Sequence, residues 1–177
     1  MRHLWHPRFG VIALFGFGLG CSGAPTTAAN ADPLVADCQA SASNFARLCA
    51  GSDPRPCLWN AYAKLCATGR TQLLVDSMKC LKNTTCRTFS DPNDAASCLA
   101  QLHAAGETAA AKSTIQGVCT SCGGSSCSTV SGVAEVLPYL TDAELVDWTS
   151  CNANQCTTLA KGCSSSEALA PFAACGF

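Results

Sequence analysis

After its first twenty residues this sequence has little of what catalysis most often uses. His3 and His6 lie in the N-terminal stretch, which leaves His103 as the only later histidine. A Ser-His-Asp or Cys-His site would have to use it. His103 sits in Leu99-Ala-Gln-Leu-His-Ala-Ala, near the end of an expected helix. A cation is favourable there in any case, so a capping or surface role is expected. Positive charge is scarce too: residues 22–177 hold nine Lys and Arg against twelve Asp and Glu, a net charge of 9 − 12 = −3. With no basic patch, nucleic acid is not an expected partner. No later apolar run approaches the ~20 residues of a membrane span, and alternating strand patterns are missing. Aromatics number only eight beyond residue 22: Phe45, Trp59, Tyr62, Phe89, Tyr139, Trp148, Phe172 and Phe177. Alanine, leucine and cysteine are therefore expected to form the core.

What the chain does have is cysteine, fifteen in all, and an N-terminus that explains them. Met1 to Arg8 carries Arg2 and Arg8 and no acid, and Phe9 to Gly20 is uncharged and largely apolar. That run would make only about 18 Å of helix at ~1.5 Å per residue, short of a ~30 Å hydrocarbon core. A charged start followed by a short apolar run reads as a signal peptide, residues 1–20. Leu19-Gly20-Cys21 lies directly against that run and resembles the lipobox of bacterial lipoproteins, with Gly18 where Leu is usual. The resemblance implies that Cys21 becomes the acylated N-terminus and anchors the chain to a membrane. Ala29-Asn30-Ala31 has the form of an ordinary cleavage site, eleven residues further on. Either processing leaves fourteen cysteines. Residues 21–31, rich in Ala, Thr and Pro, read as the anchor cysteine and a flexible tether.

An exported chain with an even, dense cysteine set reads as a disulfide framework. Its members are Cys38, Cys49, Cys57, Cys66, Cys80, Cys86, Cys98, Cys119, Cys122, Cys127, Cys151, Cys156, Cys163 and Cys175. At ~2–4 kcal/mol each, disulfides would offset the small core. Cys119-Thr-Ser-Cys122 with Cys151-x4-Cys156 imitates a zinc ribbon in outline, and Cys119-x-x-Cys122 alone has the form of a redox pair. Zinc thiolates need reducing conditions, and the strand-helix context of the redox pair is missing. Structural disulfides are the reading taken, with no metal and no cofactor.

The punctuation is helical. Asp32-Pro33, Asp53-Pro54 and Asp91-Pro92 each offer a capping carboxylate followed by proline at the first helical position. Thr141-x-x-Glu144 and Ser164-x-x-Glu167 are capping boxes, and Gly51, Gly69 and Gly106 fall where helices should stop. Helices are predicted near 33–50, 55–68, 71–82, 92–105, 108–118, 129–140, 142–151, 153–162 and 165–175, with Pro138 kinking or ending the sixth. Apolar residues recur at three and four: Leu34, Cys38, Ala42, Phe45 and Cys49; Leu58, Tyr62, Leu65 and Cys66; Leu74, Met78 and Leu81; Leu145, Trp148 and Cys151. That is the period of one helix face turned to a core. The fold class is all-α, a small disulfide-stapled helical bundle over residues 32–177.

Leu74-Val75-Asp76-Ser77-Met78-Lys79-Cys80 matches Leu145-Val146-Asp147-Trp148-Thr149-Ser150-Cys151 at four of seven positions. A second cysteine match runs in a different register. Together they suggest related units 32–106 and 107–177. Each unit would hold seven cysteines, so full pairing requires at least one disulfide across the boundary, with Cys119 as the candidate. Cys38-x10-Cys49 and Cys57-x8-Cys66 resemble the twin C-x9-C helical hairpin. That resemblance implies pairs Cys49–Cys57 and Cys38–Cys66, with Cys57 in an irregular helix start after Pro56.

Asp142, Glu144 and Asp147 cluster and could serve two-carboxylate chemistry, or form a capped, solvated first helical turn, the reading taken. Asn83-Thr-Thr has the N-glycosylation form and would be idle in a bacterial chain. The whole chain, with runs such as Asp37-Cys-Gln-Ala-Ser-Ala-Ser-Asn-Phe-Ala-Arg-Leu-Cys49, resembles the cysteine-rich predicted bacterial lipoproteins of myxobacterial type. The expected function is an exported, envelope-associated structural or binding module without catalytic residues, on the outer membrane or cell surface, otherwise periplasmic or secreted. Its expected partner is the membrane, through the anchor at Cys21. The alternatives are a hydrolase using His103 or the clustered carboxylates, and an exported thiol–disulfide protein.

Overall fold

The computed structural model describes residues 32–82, 84–89, 93–121, 133–152 and 166–176, all within one compact unit, Ala31–Phe177. Among the described residues every regular element is helical. The elements are α1 (Pro33–Leu48), α2 (Arg55–Leu65), α3 (Thr71–Cys80), α4 (Ala96–Gly106), α5 (Ala109–Ser121), α6 (Val133–Val136), α7 (Asp142–Asn152) and α8 (Ala170–Ala173). Short 3-10 turns precede α4 (Asn93–Ala95) and follow α6 (Leu137–Tyr139). The protein is a disulfide-stapled helical bundle.

Local sequence explains most of the helix ends. Asp32 caps α1, its carboxylate accepting from the Leu34 N–H at 2.9 Å, with Pro33 in the first turn. The Thr141-Glu144 box closes completely. Thr141 N donates to Glu144 Oε2 at 2.7 Å, and Glu144 N donates to Thr141 Oγ1 at 3.3 Å. Gly51 turns the chain out of α1 at φ +84°, a conformation that glycine adopts without Cβ strain. The Asp53 cap does not form. After Gly51, Ser52 N bonds Cys49 O and Arg55 N bonds Ser52 O, so Pro54, not Asp53, holds the N-cap position of α2. Regular α-helix stops at Val136, just before the turn containing Pro138. The last helix is much shorter than predicted. Pro171 lies in its first turn and carries no N–H, so the backbone ladder is interrupted there and regular helix covers only Ala170–Ala173. Asp91-Pro92, Ser164 and the predicted helix 153–162 lie outside the described residues.

Six of the eight late aromatic residues meet in the core. Phe45 stacks on Trp59 at 4.5 Å between ring centroids. Tyr62, fully buried, meets Trp59, Phe89, Tyr139 and Phe172 with centroids 5.0–5.9 Å away, at tilted or edge-on angles. Alanine, leucine and cysteine do supply most of the buried core, as expected, and the aromatics add a shared centre to it. Composition counts side chains, but it does not show that they converge. Such pairs contribute ~0.5–1.5 kcal/mol each beyond the area they bury. Leu58, Leu65, Leu74, Met78, Leu81 and Leu145 surround them, as their helical spacing required.

Four disulfides join described cysteines: Cys38–Cys66, Cys49–Cys86, Cys57–Cys175 and Cys80–Cys98. Cys151 is also disulfide-bonded. The first of these, across α1 and α2, is the far rung that the twin-hairpin resemblance implies. The near rung is not Cys49–Cys57. Residues nine apart on an intact helix lie about half a turn from one face. Cys57 stands within the first turn of α2, so with Cys66 facing α1 it faces away and meets Cys175 beyond α8. Cys49 instead pairs with Cys86, in the segment between α3 and α4. Cys57–Cys175 spans 118 residues and joins the stretches 32–106 and 107–177. The Cys119 side chain, and Cys122, Cys127, Cys156 and Cys163, lie outside the described residues. Disulfides form and persist in oxidising compartments, so this is a chain of an oxidising, exported location.

Proteolytic cleavage at the short link Glu107-Thr108 between α4 and α5 should leave fragments that separate only after reduction. Replacing Cys57 and Cys175 together by serine should free them without reductant. By the chain-entropy count, the same double variant should lose about 3–5 kcal/mol in urea unfolding.

Candidate functional site

The lone late histidine does not cap its helix or lie on the surface. His103 occupies the last turn of α4, but its imidazole points inward, and Nε2 lies 3.0 Å from the Tyr139 hydroxyl. The ring also packs edge-on against Tyr139, with centroids 5.5 Å apart. Only the carbonyl of His103 serves the helix end, accepting from Glu107 N at 2.8 Å. A helix side chain can turn toward the core from the last turn as readily as from any other, and Tyr139 offers a buried polar partner there. Burial holds the imidazole below its ordinary histidine value.

Around this pair lies a small polar island in the core. Ser77 of α3 is fully buried beside the Tyr139 hydroxyl. The Tyr62 hydroxyl is buried with no hydrogen-bond partner among the described residues, and Glu135 Oε2 is buried nearby. Burial, with the Glu135 carboxylate adding to it, raises both phenols well above the ordinary tyrosine range. Serine, histidine and carboxylate all occur here, but Ser77 has no surface for a substrate to reach, and the accessible edge of the island is a neutral imidazole. Its effect is to orient the 3-10 turn Leu137–Tyr139 against α3 and α4.

The clustered carboxylates are not brought to one focus. Asp142 Oδ1 receives Arg70 Nη2 at 3.2 Å and Thr108 Oγ1 at 2.7 Å. Glu144 is committed to Thr141, and Asp147 lies exposed on α7. Asp142 leads to the residue that sequence reading missed. The Arg70 side chain, 17% exposed, also donates from Nε to Leu140 O at 2.9 Å and from Nη1 to Gly106 O at 2.5 Å. Its own N–H bonds Tyr139 O at 2.8 Å. One guanidinium thus ties the start of α3 to the ends of α4 and the Leu137–Tyr139 turn. Its partners are 36 to 72 residues away in sequence, and no local pattern signals them. Gly69 makes the approach feasible: a Cβ there would lie 2.7 Å from Tyr139 O.

Beside Arg70, between the start of α3 and the end of α4, runs an open groove of about 670 Å³. Leu73 and Leu102 form its apolar wall, and Arg70, Gln72, Asp76 and Thr108 its rim. The rim is self-neutralised. Asp76 binds Lys79 Nζ and Gln72 Nε2 at 2.9 and 2.8 Å, and these bonds hold its carboxyl below the ordinary value. Gly106 lines the groove against Leu73, where a Cβ would stand 2.9 Å from Leu73 Cδ1. Among the described residues no three metal-ligating side chains form a group. No helix among them is long and apolar enough to cross a membrane.

No protein-family model, curated protein or solved structure matches this chain. What its site can do therefore rests on its own geometry.

Two outcomes follow. Arg70→Ala should lower stability by about 2 kcal/mol, since it removes the donors to the Leu140 and Gly106 carbonyls while the exposed Asp142 keeps Thr108, and Arg70→Lys should recover only part; urea midpoints at constant m-value check this. For His103, the folded state favours the neutral form. Its contribution is full above the ordinary histidine value of 6.5 and is lost as pH falls through the lowered folded-state value. The thermal midpoint should therefore drop as pH falls below about 6.5, and His103→Gln should flatten that part of the profile.

Proposed function

We propose that this chain is an exported structural or binding module, held at the cell envelope by a lipid on Cys21 and lacking catalytic activity of its own. The observation that carries the reading is the closure of the domain by Cys57–Cys175. That bond ties the first turn of α2 to the segment after α8 across 118 residues. Inter-domain interfaces ordinarily allow relative motion. A covalent tie between the two stretches restrains opening and closing, and suits a surface of constant shape. The chemistry inside agrees with this. The one histidine of the domain is spent on Tyr139, and Asp142 and Glu144 on Arg70, Thr108 and Thr141. The lipid anchor is supported by Leu19-Gly20-Cys21 against the apolar run, and by the Ala, Thr and Pro tether that would hold the domain off the membrane.

Membrane fractionation of the full chain, with metabolic labelling by a fatty acid, tests the anchor. Wild type should be labelled and sediment with membranes, and Cys21→Ala should be unlabelled and soluble. An unchanged distribution, or a mature N-terminus at Asp32, would exclude the lipoprotein reading.

A further inference from the structure

The four described disulfides differ in how exposed their cysteines are. Cys38 and Cys66 are both 0% exposed, and Cys49 is equally buried beside a half-buried Cys86. Cys57 and Cys175 are both half-buried. Cys98 alone among these eight is exposed, and its partner Cys80 is half-buried against the core. We propose that Cys80–Cys98 is an exchange-active disulfide, at which an external thiol joins Cys98 and releases Cys80.

Position favours this pair in two further ways. Cys98 lies in the first turn of α4, at the exposed end of the bond. Cys80 is the last residue of α3, packed inward, and so is placed to resolve a mixed disulfide on Cys98 from within. The bond also closes the shortest loop, 18 residues against 28, 37 and 118 for the others, so its opening returns the least chain entropy.

Opening would be local. Cys49–Cys86 still pins the segment between α3 and α4, and Asp94 still bridges Lys82 and Arg87 at 2.9 and 2.7 Å. The far end of α4 stays held by Arg70 on Gly106 O and by His103 on Tyr139. The N-terminal turns of α4 would loosen while the core keeps its other staples.

The chemistry balances with thiols alone. A thiolate attacks Cys98 Sγ, the S–S bond breaks, and the electron pair leaves on Cys80 Sγ, which takes a proton from water. A second thiol displaces the first from Cys98. The protein disulfide is reduced by two electrons, and two thiols become one external disulfide. The thiol could come from a small molecule or from a protein. The chemistry at Cys98 is the same for both.

The test exposes the oxidised full chain to limiting reduced glutathione, or in a second arm to a reduced thioredoxin-type protein lacking its resolving cysteine. Acid quench, alkylation and peptide mapping follow. A glutathione or protein adduct on Cys98, with alkylated Cys80 and the other described pairs intact, supports the proposal, and the productive arm names the source. First opening at Cys57–Cys175 or any other of these pairs, adducts on Cys80 instead of Cys98, or no opening before global unfolding overturns it. In single variants, the free Cys98 of Cys80→Ser should react with a thiol reagent at least about tenfold faster than the free Cys80 of Cys98→Ser. Equal or reversed rates also overturn it.

Discussion

The packing of the unit depends on the ring of Tyr62. Phe172 reaches it from α8, Trp59 from its own helix, Phe89 from the segment before α4, and Tyr139 from the turn after α6. Phe45 joins through its stack on Trp59. Short helices such as these are marginal alone, and most of their stability must come from tertiary packing. Pooling the scarce aromatics in one place gives each helix a large apolar surface to bury against. Trp59 adds a polar tie, its Nε1 donating to Arg87 O at 2.7 Å.

The disulfides fasten what the aromatic centre assembles. Cys38–Cys66 lies inside the α1–α2 contact, Cys49–Cys86 holds the segment that delivers Phe89, and Cys57–Cys175 holds the one that delivers Phe172. On the opposite side Arg70 gathers the ends of α4 and the Leu137–Tyr139 turn without a covalent bond. The two kinds of tie divide the molecule. The centre is locked by buried sulfur, and the α3–α4 side is held by hydrogen bonds and one exposed disulfide. The groove beside Leu73 and the exposed Cys98 both lie on that second side.

Local features read well from the residues because their causes are local. Asp32 and Thr141-Glu144 act within three residues of themselves, and the three-and-four spacing of Cys38, Ala42, Phe45 and Cys49 turns one face of α1 inward whatever it meets. Asp53 shows the limit, because a turn of the preceding residues displaced it from the helix start. The disulfide resemblance shows another. The half-turn offset between Cys57 and Cys66 is a property of an intact helix. Read as a defect near Pro56 it suggests Cys57 pairing with Cys49, and read as geometry it sends Cys57 to another partner. The site was less legible. His103 was visible as the only histidine of the domain, but its inward turn to Tyr139 depends on a residue 36 positions away.

By itself the sequence determined the helical class, most helix ends, the faces those helices bury and the abundance of cysteine. Each follows from backbone stereochemistry, capping and periodicity over a few residues. Only the tertiary structure decided which cysteines meet, that the aromatics share one centre, that Arg70 bridges three segments, and that Cys98 is exposed where Cys38 and Cys66 are sealed. Those outcomes depend on contacts between residues tens of positions apart, where many pairings satisfy the same local rules and the packing of the whole core selects among them.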